Sequence, residues 1–314
     1  MINYGDLIVS ILAASLPLTM PILYASIGEV YAERSGVLNM GIEGIMSLSA
    51  FVSLSVTFST GSYLDGLLAG VAAGVAMGVL HSFVTVRMGV NQLIAGLMIY
   101  FLALYMGDFG YVIATKTSYL HVRPISPVQI PVLSKLPVVG PILFSQNILV
   151  YASFAVAIVA GLVLYRTTWG LKIRAVGENP EAADSAGINV NLVRHLCVIL
   201  GSALAGIGGA SLVLGYLGLY ATGDTLVAGR GFIAIVVVIF AGWNPYKAVA
   251  GAWLFGLGYA IAAIFIGSGL FSSFGTAAGY FLLAIPYIFA IVFILVFHRG
   301  TKSPSSLTVP YKRK

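Results

Sequence analysis

Long apolar runs alternate with short polar segments along the whole chain. A helix that spans the hydrocarbon layer of a membrane needs about 20 apolar residues. Runs near that length occupy residues 7–28, 37–58, 66–86, 90–114, 145–165, 192–216, 229–243, 247–267 and 275–298. The seventh run is short, and the second and sixth are rich in glycine. The pattern predicts an all-α integral membrane protein with about nine transmembrane helices, between about eight and ten, including broken or re-entrant segments.

Composition leaves lipid as the solvent for most of the surface. The chain has 314 residues, of which 59% are hydrophobic and 8% charged, and its mean hydropathy is +1.00. Soluble domains carry roughly 25% charged residues. A single transmembrane domain, 1–314, is expected, and the first apolar run, which lacks a basic leader, is expected to be retained as a helix. One cysteine permits no disulfide within the chain.

The basic residues predict the orientation in the membrane. Most of the 16 Lys and Arg residues fall in alternate loops and in the tail at 299–314. Across nine spans, the positive-inside rule then places the C-terminus in the cytoplasm and the N-terminus outside. The net charge of +6 therefore follows from the basic residues on the predicted cytoplasmic side of the membrane, and no nucleic-acid partner is expected. Residues 115–144 become a proline-rich external loop, expected to hold short elements that cap the outer face.

A charged segment at 166–191 interrupts the apolar pattern on the predicted cytoplasmic side. Asn179 is a candidate N-cap, Pro180 holds the favoured first helical position, and Gly187 is a candidate stop. A short helix of this kind fits a groove on a partner; the alternative is a solvated loop that only satisfies the charge rule. The candidate docking residues are Gly177, Glu178, Asn179, Pro180, Glu181, Ala182, Ala183, Asp184 and Gly187.

Polar residues inside apolar runs are the candidates for a solute path. Asn39 and Glu43 are four apart, which places them on one helical face. Neighbouring glycines indicate a broken helix, and an ionisable group within a span normally faces the bundle interior or a water-filled path. Glu43 could instead lie near the cytoplasmic end or bond a neighbouring helix. Asn91 and Gln92 could contact a polar solute or join two helices.

A glycine-rich break at 220–232 is expected at the outer ends of the sixth and seventh spans. Asp224 and Arg230 could pair there, gate a path or contact a docked external protein. An ordinary external turn with an exposed ion pair is the alternative. Glycines at four-residue spacing in the third span predict close packing between helices.

The chain shows no arrangement of residues that points to catalysis. It has no nucleophile–base constellation, no phosphate-binding loop with its lysine, no H-E-x-x-H motif and no metal-ligand spacing among its four histidines. We therefore expect no enzymatic activity, no metal and no cofactor bound by this chain. If transport is active, its energy comes from another subunit.

Three stretches resemble a known family. The first matches a pattern that recurs in the cytoplasmic coupling loop of bacterial ABC importer permeases, in the branch of ribose-type sugar and branched-chain amino-acid permeases. The matching residues are Thr167, Gly170, Ile173, Arg174, Ala175, Gly177, Asn179, Ala182, Ala183, Gly187, Ile188, Asn189 and Val190. The second, SGVLNMGIEGIM at 35–46, together with NQLIAG at 91–96, resembles the permeases that import nucleosides with a basic-membrane-lipoprotein-type binding protein. The resemblance runs from about residue 10 to 298.

The resemblance implies partners and a mechanism. The segment 178–187 would dock on an ATP-binding cassette subunit, which holds the ATP and magnesium. A second homologous permease would complete a heterodimer in the cell membrane, surrounded by lipid, and an extracytoplasmic substrate-binding lipoprotein would deliver the solute. Half-helices around 39–43 and 223–231 would line the path, with alternating access between the two sides.

The residues themselves leave the solute open. Nucleosides follow from the resemblance alone, and a simple sugar or riboflavin would need similar polar and aromatic groups. An ATP-independent secondary transporter or channel is the competing class.

Overall fold

The computed structural model describes residues 4–116, 120–268, 281–297 and 302–312. Within these ranges the protein is built almost entirely from helices. In chain order they are α1 Tyr4–Arg34, α2 Ile42–Thr60, α3 Tyr63–Ser82, α4 Gln92–Thr115, α5 Val139–Leu143, α6 Ile148–Arg166, α7 Thr168–Glu178, α8 Pro180–Ser185, α9 Val190–Leu212, α10 Arg230–Phe240, α11 Pro245–Gly267 and α12 Ile285–Phe297. Wider π-helical turns at Phe83–Arg87 and Val213–Leu217 extend α3 and α9.

Seven helices in the described part are long and apolar enough to cross a membrane: α1, α2, α3, α4, α6, α9 and α11. The predicted integral membrane protein of helical class is thereby confirmed, while the count of about nine is not. The predicted span 229–243 contains only α10, which has 11 residues. The predicted span 275–298 lies partly outside the described residues and contains α12.

Helices α1 and α9 form the centre of the bundle. Helix α1 packs on α9, α11, α10 and α6, and α9 packs on α1, α3 and α2. The two helices pack closely at Gly28, where an added Cβ would lie 2.5 Å from the carbonyl oxygen of Gly201. The predicted glycine face of α3 is confirmed in the same way, because a Cβ at Gly74 would lie 2.5 Å from the carbonyl oxygen of Ser202. Small residues therefore set the spacing of these helices.

The loop at 115–144 holds short elements, as its prolines predict. From residue 120 onward it contains a 3₁₀ turn at Leu133–Lys135, the helix α5, and strand β1, Val128–Gln129, which pairs antiparallel with β2, Ser145–Gln146. The loop lies along the end of α9, to which it is joined by two backbone hydrogen bonds. Val122 N donates to the Gly218 carbonyl at 2.9 Å, and Ile125 N donates to the Leu214 carbonyl at 2.8 Å. The loop thus covers one end of the bundle.

The charged segment at 166–191 folds into two helices, of which the sequence predicted one. Helix α8 begins after Asn179, whose side chain accepts a bond from Ala182 N, and Gly187 follows with a φ of +82°. Both predicted boundaries are confirmed. Helix α7 precedes it, capped by Thr167, and buries Ile173 and Val176 against the bundle. The charged residues therefore lie on folded helices.

Substituting Gly74 tests the small-residue contact between α3 and α9. Gly74→Val places a side chain against Ser202 O, so we expect the free energy of unfolding to fall by about 1–3 kcal/mol through overpacking. Ala72→Val, at an exposed position of the same helix, is the control. Thermal unfolding in detergent measures both, and equal midpoints for the two variants would contradict this packing.

Candidate functional site

Helix α10 begins deep inside the protein. Its 11 residues extend only about 16 Å, roughly half of the 30 Å hydrocarbon layer. The preceding segment, 218–229, contains turns and one 3₁₀ turn at Gly223–Thr225. The first N–H groups of α10 have no partners within the helix, so the protein must supply acceptors.

The carboxylate of Glu43 supplies those acceptors. Its Oε1 accepts a 2.7 Å bond from Gly229 N, and its Oε2 accepts a 2.6 Å bond from Gly231 N. Glu43 is 2% exposed and lies in the first turn of α2. The positive ends of two helix dipoles therefore meet at one carboxylate. A Cβ at Gly231 would lie 2.7 Å from the Glu43 Cα, so this approach requires glycine.

Arg230 is held by the same break. Its guanidinium lies 4.2 Å from the ring centroid of Tyr259, and Nη1 donates to the Val227 carbonyl at 2.8 Å. The Ala228 carbonyl accepts bonds from the hydroxyls of Tyr259, 2.8 Å, and Tyr287, 2.7 Å. Helices α11 and α12 thus fix the backbone at the start of α10.

Asp224 bonds a tyrosine rather than the neighbouring arginine. Its Oδ1 accepts a hydrogen bond from the Tyr100 hydroxyl on α4, and the suggested Asp224–Arg230 pair is not formed among the described residues. The carbonyls of the break and the Tyr259 ring hold Arg230 instead. About two turns further along α4, Asp108 accepts from Tyr220 OH at 3.0 Å.

These contacts define the half-helix site: Glu43, Tyr100, Asp224, Gly229, Arg230 and Gly231. Aromatic rings border it. Phe232 meets the Tyr100 ring edge-on at 5.5 Å, and Phe101 and Tyr105 lie nearly parallel with centroids 6.3 Å apart. Tyr105 is 61% exposed. The site therefore combines one exposed carboxylate, Asp224, with exposed aromatic faces.

The remaining predicted path residues lie elsewhere. Asn39 precedes α2 in a non-helical segment, so the inference that Asn39 and Glu43 share one helical face is wrong. The Asn39 side chain instead accepts from Gly41 N, 3.0 Å. Gln92 accepts from Leu38 N, 2.8 Å, and Asn91 is the exposed N-cap of α4. These three side chains shape the segment that leads into α2 and the start of α4.

Two buried carboxyl groups were missed. Glu29 and Glu33 are 0% and 1% exposed in α1, beyond the end of the predicted first span. Glu29 accepts from Asn39 N at 2.8 Å, and Glu33 accepts from the Trp243 indole N–H at 2.5 Å. Their four-residue spacing directly after an apolar run was the available signal. Among the described residues, no cluster of three His, Cys, Asp or Glu could hold a metal.

The candidate docking residues lie together at the other end of the bundle. Gly177 packs on α1, where a Cβ would lie 2.0 Å from the Arg34 carbonyl oxygen. Ala183 is 4% exposed, whereas Glu178 and Glu181 are exposed. Residues 302–312 pack beside them, and Ser305 Oγ donates to Glu178 at 3.0 Å.

Residues 11–297 match the family described as branched-chain amino acid transport system / permease component. The chain belongs to this family, and it is a multi-pass membrane component of an ABC transporter.

Curated relatives match most of the chain. It is 32% identical to the nucleoside ABC transporter permease protein NupC of Lactococcus lactis, over 96% of each chain. It is 33% identical to the guanosine ABC transporter permease protein NupQ of Bacillus subtilis, over 97% of this chain and 98% of that one. It is 38% identical to the putative glucose ABC transporter permease protein TsgC13 of Haloferax volcanii, over 79% of this chain and 75% of that one.

A second permease of each of these organisms also matches. NupB is 33% identical over 34% of this chain, NupP 25% over 75%, and TsgB13 25% over 93%. Among solved structures, PsaBC from Streptococcus pneumoniae in complex with Fab is 13% identical, covers 94% of this chain and 91% of that one, and gives a TM-score of 0.50. This structural similarity shows a shared fold alone.

Removing the Glu43 carboxylate tests the cap on α10. In Glu43→Ala two buried backbone N–H groups lose their acceptor, and each bond to a charged group is worth about 1.5–3 kcal/mol. We expect a clear drop in the thermal unfolding midpoint in detergent. Asp65→Ala, at an exposed first-turn carboxylate of α3, is the control and should unfold near the wild-type temperature. A Glu43→Ala midpoint equal to that of the control would contradict the cap.

Proposed function

We propose that this permease imports nucleosides as one half of an ABC importer. The observation that carries the substrate assignment is the similarity, over nearly the whole chain, to relatives named as nucleoside and guanosine permeases. The half-helix site supports the same class of solute.

Most polar atoms of the charged residues at the half-helix site have partners within the protein, while Arg230 Nε is buried with no hydrogen-bond partner among the described residues. Glu43 caps α10, Arg230 is bound by carbonyls and the Tyr259 ring, and Asp224 accepts from Tyr100. A charged solute would have to compete with these contacts. A neutral solute needs none of them broken, and a nucleobase can stack on aromatic rings such as Tyr105, because every base has a π-face.

The broken helix supports alternating access. Transporters place solute sites near the middle of the membrane, at helices interrupted by irregular backbone. The proposed path therefore passes the half-helix site, with predicted path residues Glu43, Asp224 and Arg230. The basic loops support an outside N-terminus and a cytoplasmic C-terminus.

The proposed partners follow from the same arrangement. An ATP-binding cassette subunit, which carries ATP and magnesium, docks on α8 at the cytoplasmic face. The matched pairs of relatives in three organisms support a second homologous permease and hence a heterodimer. A substrate-binding lipoprotein delivers solute to the opposite face.

Glucose is the second candidate solute, because the relative with 38% identity is named a putative glucose permease. Uptake into proteoliposomes that contain the purified complex and its binding protein separates the candidates. We expect ATP-dependent uptake of labelled guanosine that unlabelled glucose does not inhibit. Uptake of glucose alone would transfer the assignment to sugars, and guanosine uptake without ATP would exclude the importer.

Reversing the charge of Glu181 tests docking at α8. Glu181→Lys should abolish ATP-dependent uptake and retention of the ATPase, since it changes the sign of an exposed charge on a helix of only six residues. Membrane insertion and assembly with the second permease should persist. Asp65→Lys, on an exposed end of α3, is the control. Normal uptake by Glu181→Lys would remove α8 as the docking element.

Removing the Tyr100 hydroxyl tests the path. Tyr100→Phe frees Asp224 from its partner, and one hydrogen bond is worth about 1 kcal/mol, so the KM for guanosine uptake should change several-fold. Tyr63→Phe removes an exposed hydroxyl that bonds the Arg123 carbonyl and is the matched control. An unchanged KM in Tyr100→Phe would place the path elsewhere.

A further inference from the structure

The segment 302–312 crosses the charged end of the bundle and is bonded to α7. Ser306 N donates to the Gly177 carbonyl at 2.9 Å, and Ser306 Oγ donates to the same carbonyl at 2.7 Å. Ser306 is 6% exposed. This part of the chain therefore has a fixed place beside the proposed docking helix.

A buried arginine fixes the segment further. Arg194, on α9, is 2% exposed. Its Nη2 donates to Ser306 Oγ at 3.1 Å, its Nη1 to the Val309 carbonyl at 2.9 Å, and its Nε to the Ser35 carbonyl at 3.1 Å. A buried cation is costly unless its donors are satisfied, so these bonds couple the placement of the segment to the folding of α1 and α9.

A groove of about 350 Å³ runs between this segment and α8. It is lined by Glu178, Asn179, Pro180, Glu181, Ser305, Ser306, Val309, Pro310, Tyr311 and Lys312. One wall carries the acidic residues Glu178 and Glu181, and the other carries the basic residue Lys312. A complementary partner element presents a basic side chain to the first wall and an acidic one to the second.

Helix α8 is too small to form a docking surface alone. Six residues extend about 9 Å, whereas specific protein interfaces bury about 800 Å² on each partner. A partner seated on α8 must also contact the rigid surface beside it. The segment 302–312 is that surface on the side of the groove.

We propose that residues 302–312 form the second wall of the ATPase docking surface, with the groove against α8 taking an exposed element of the ATPase subunit. This inference rests on the proposed function. The segment then has two roles: it holds α7 in place through Ser306, and it presents Val309, Pro310 and Lys312 to the partner.

Single-cysteine photo-crosslinking within the assembled transporter tests the proposal. The only native cysteine, Cys197, is buried and is replaced by alanine. Val309→Cys, at a side chain 53% exposed, is labelled with a thiol-reactive benzophenone and irradiated in the purified complex. Ala182→Cys on α8 is the positive control. Lys247→Cys, exposed in the first turn of α11 on the predicted cytoplasmic side, is the negative control.

The expected result is an adduct between the ATPase and the probes at 309 and 182, with none at 247. An adduct from 182 but none from 309 would overturn the role of the segment and leave the docking at α8 intact. An adduct from 309 to the second permease alone would also overturn it. Absence of the ATPase from the purified wild-type complex would overturn the proposed function itself.

A charge variant supplies a second readout. Lys312→Glu should lower the amount of ATPase retained during purification at moderate salt, because interface rim charges act through screened electrostatics. Lys247→Glu is the matched control. Equal ATPase retention in both variants would contradict the contribution of Lys312.

Discussion

Two backbone amides bonded to the Glu43 carboxylate allow a helix to begin in the interior of this membrane protein. Lipid offers no partner for an exposed N–H, so an interrupted helix needs an acceptor from the protein. Glu43 provides both oxygens and lies at the start of α2, where the dipoles of α2 and α10 favour its negative charge. The irregular segment before α10, with its exposed Asp224, depends on this cap.

The opposite end of α10 is bound to the charged end of the bundle. The Arg34 guanidinium donates to the carbonyls of Gly242 and Trp243, each at 3.1 Å. Gly177, at the end of α7, packs directly on the Arg34 carbonyl. A displacement of α7 therefore presses on the residue that holds the end of α10. In the proposed transporter, these two contacts connect α7, beside the docking helix, with the C-terminal end of α10.

Local signals in the sequence predicted local structure well. Asn179, Pro180 and Gly187 define α8 because capping depends on residues within one or two turns. Local sequence patterns could not predict the side-chain hydrogen bonds that join residues far apart in the chain. Glu33 is buried in α1, where it accepts a hydrogen bond from the indole of Trp243, a residue distant in sequence. Glu29 accepts from Asn39 N, ten residues along the chain and beyond the end of the helix. Asp224 and Arg230 are neighbours along the chain, yet Tyr100 and nearby carbonyls are better placed as their partners.

The predicted class of substrate came from the resemblance to a known family, since composition alone admits nucleosides and sugars equally.

The geometry of α4 indicates where the other half of the proposed path lies. Tyr100 faces inward to Asp224, whereas Phe101, Tyr105 and Phe109 point away from the bundle, and Phe109 is 69% exposed. One chain therefore supplies aromatic faces on only one side of a stacked solute. Stacking of a base on an aromatic side chain is worth about 1–3 kcal/mol. In the proposed heterodimer, the second permease would supply the opposing aromatic face.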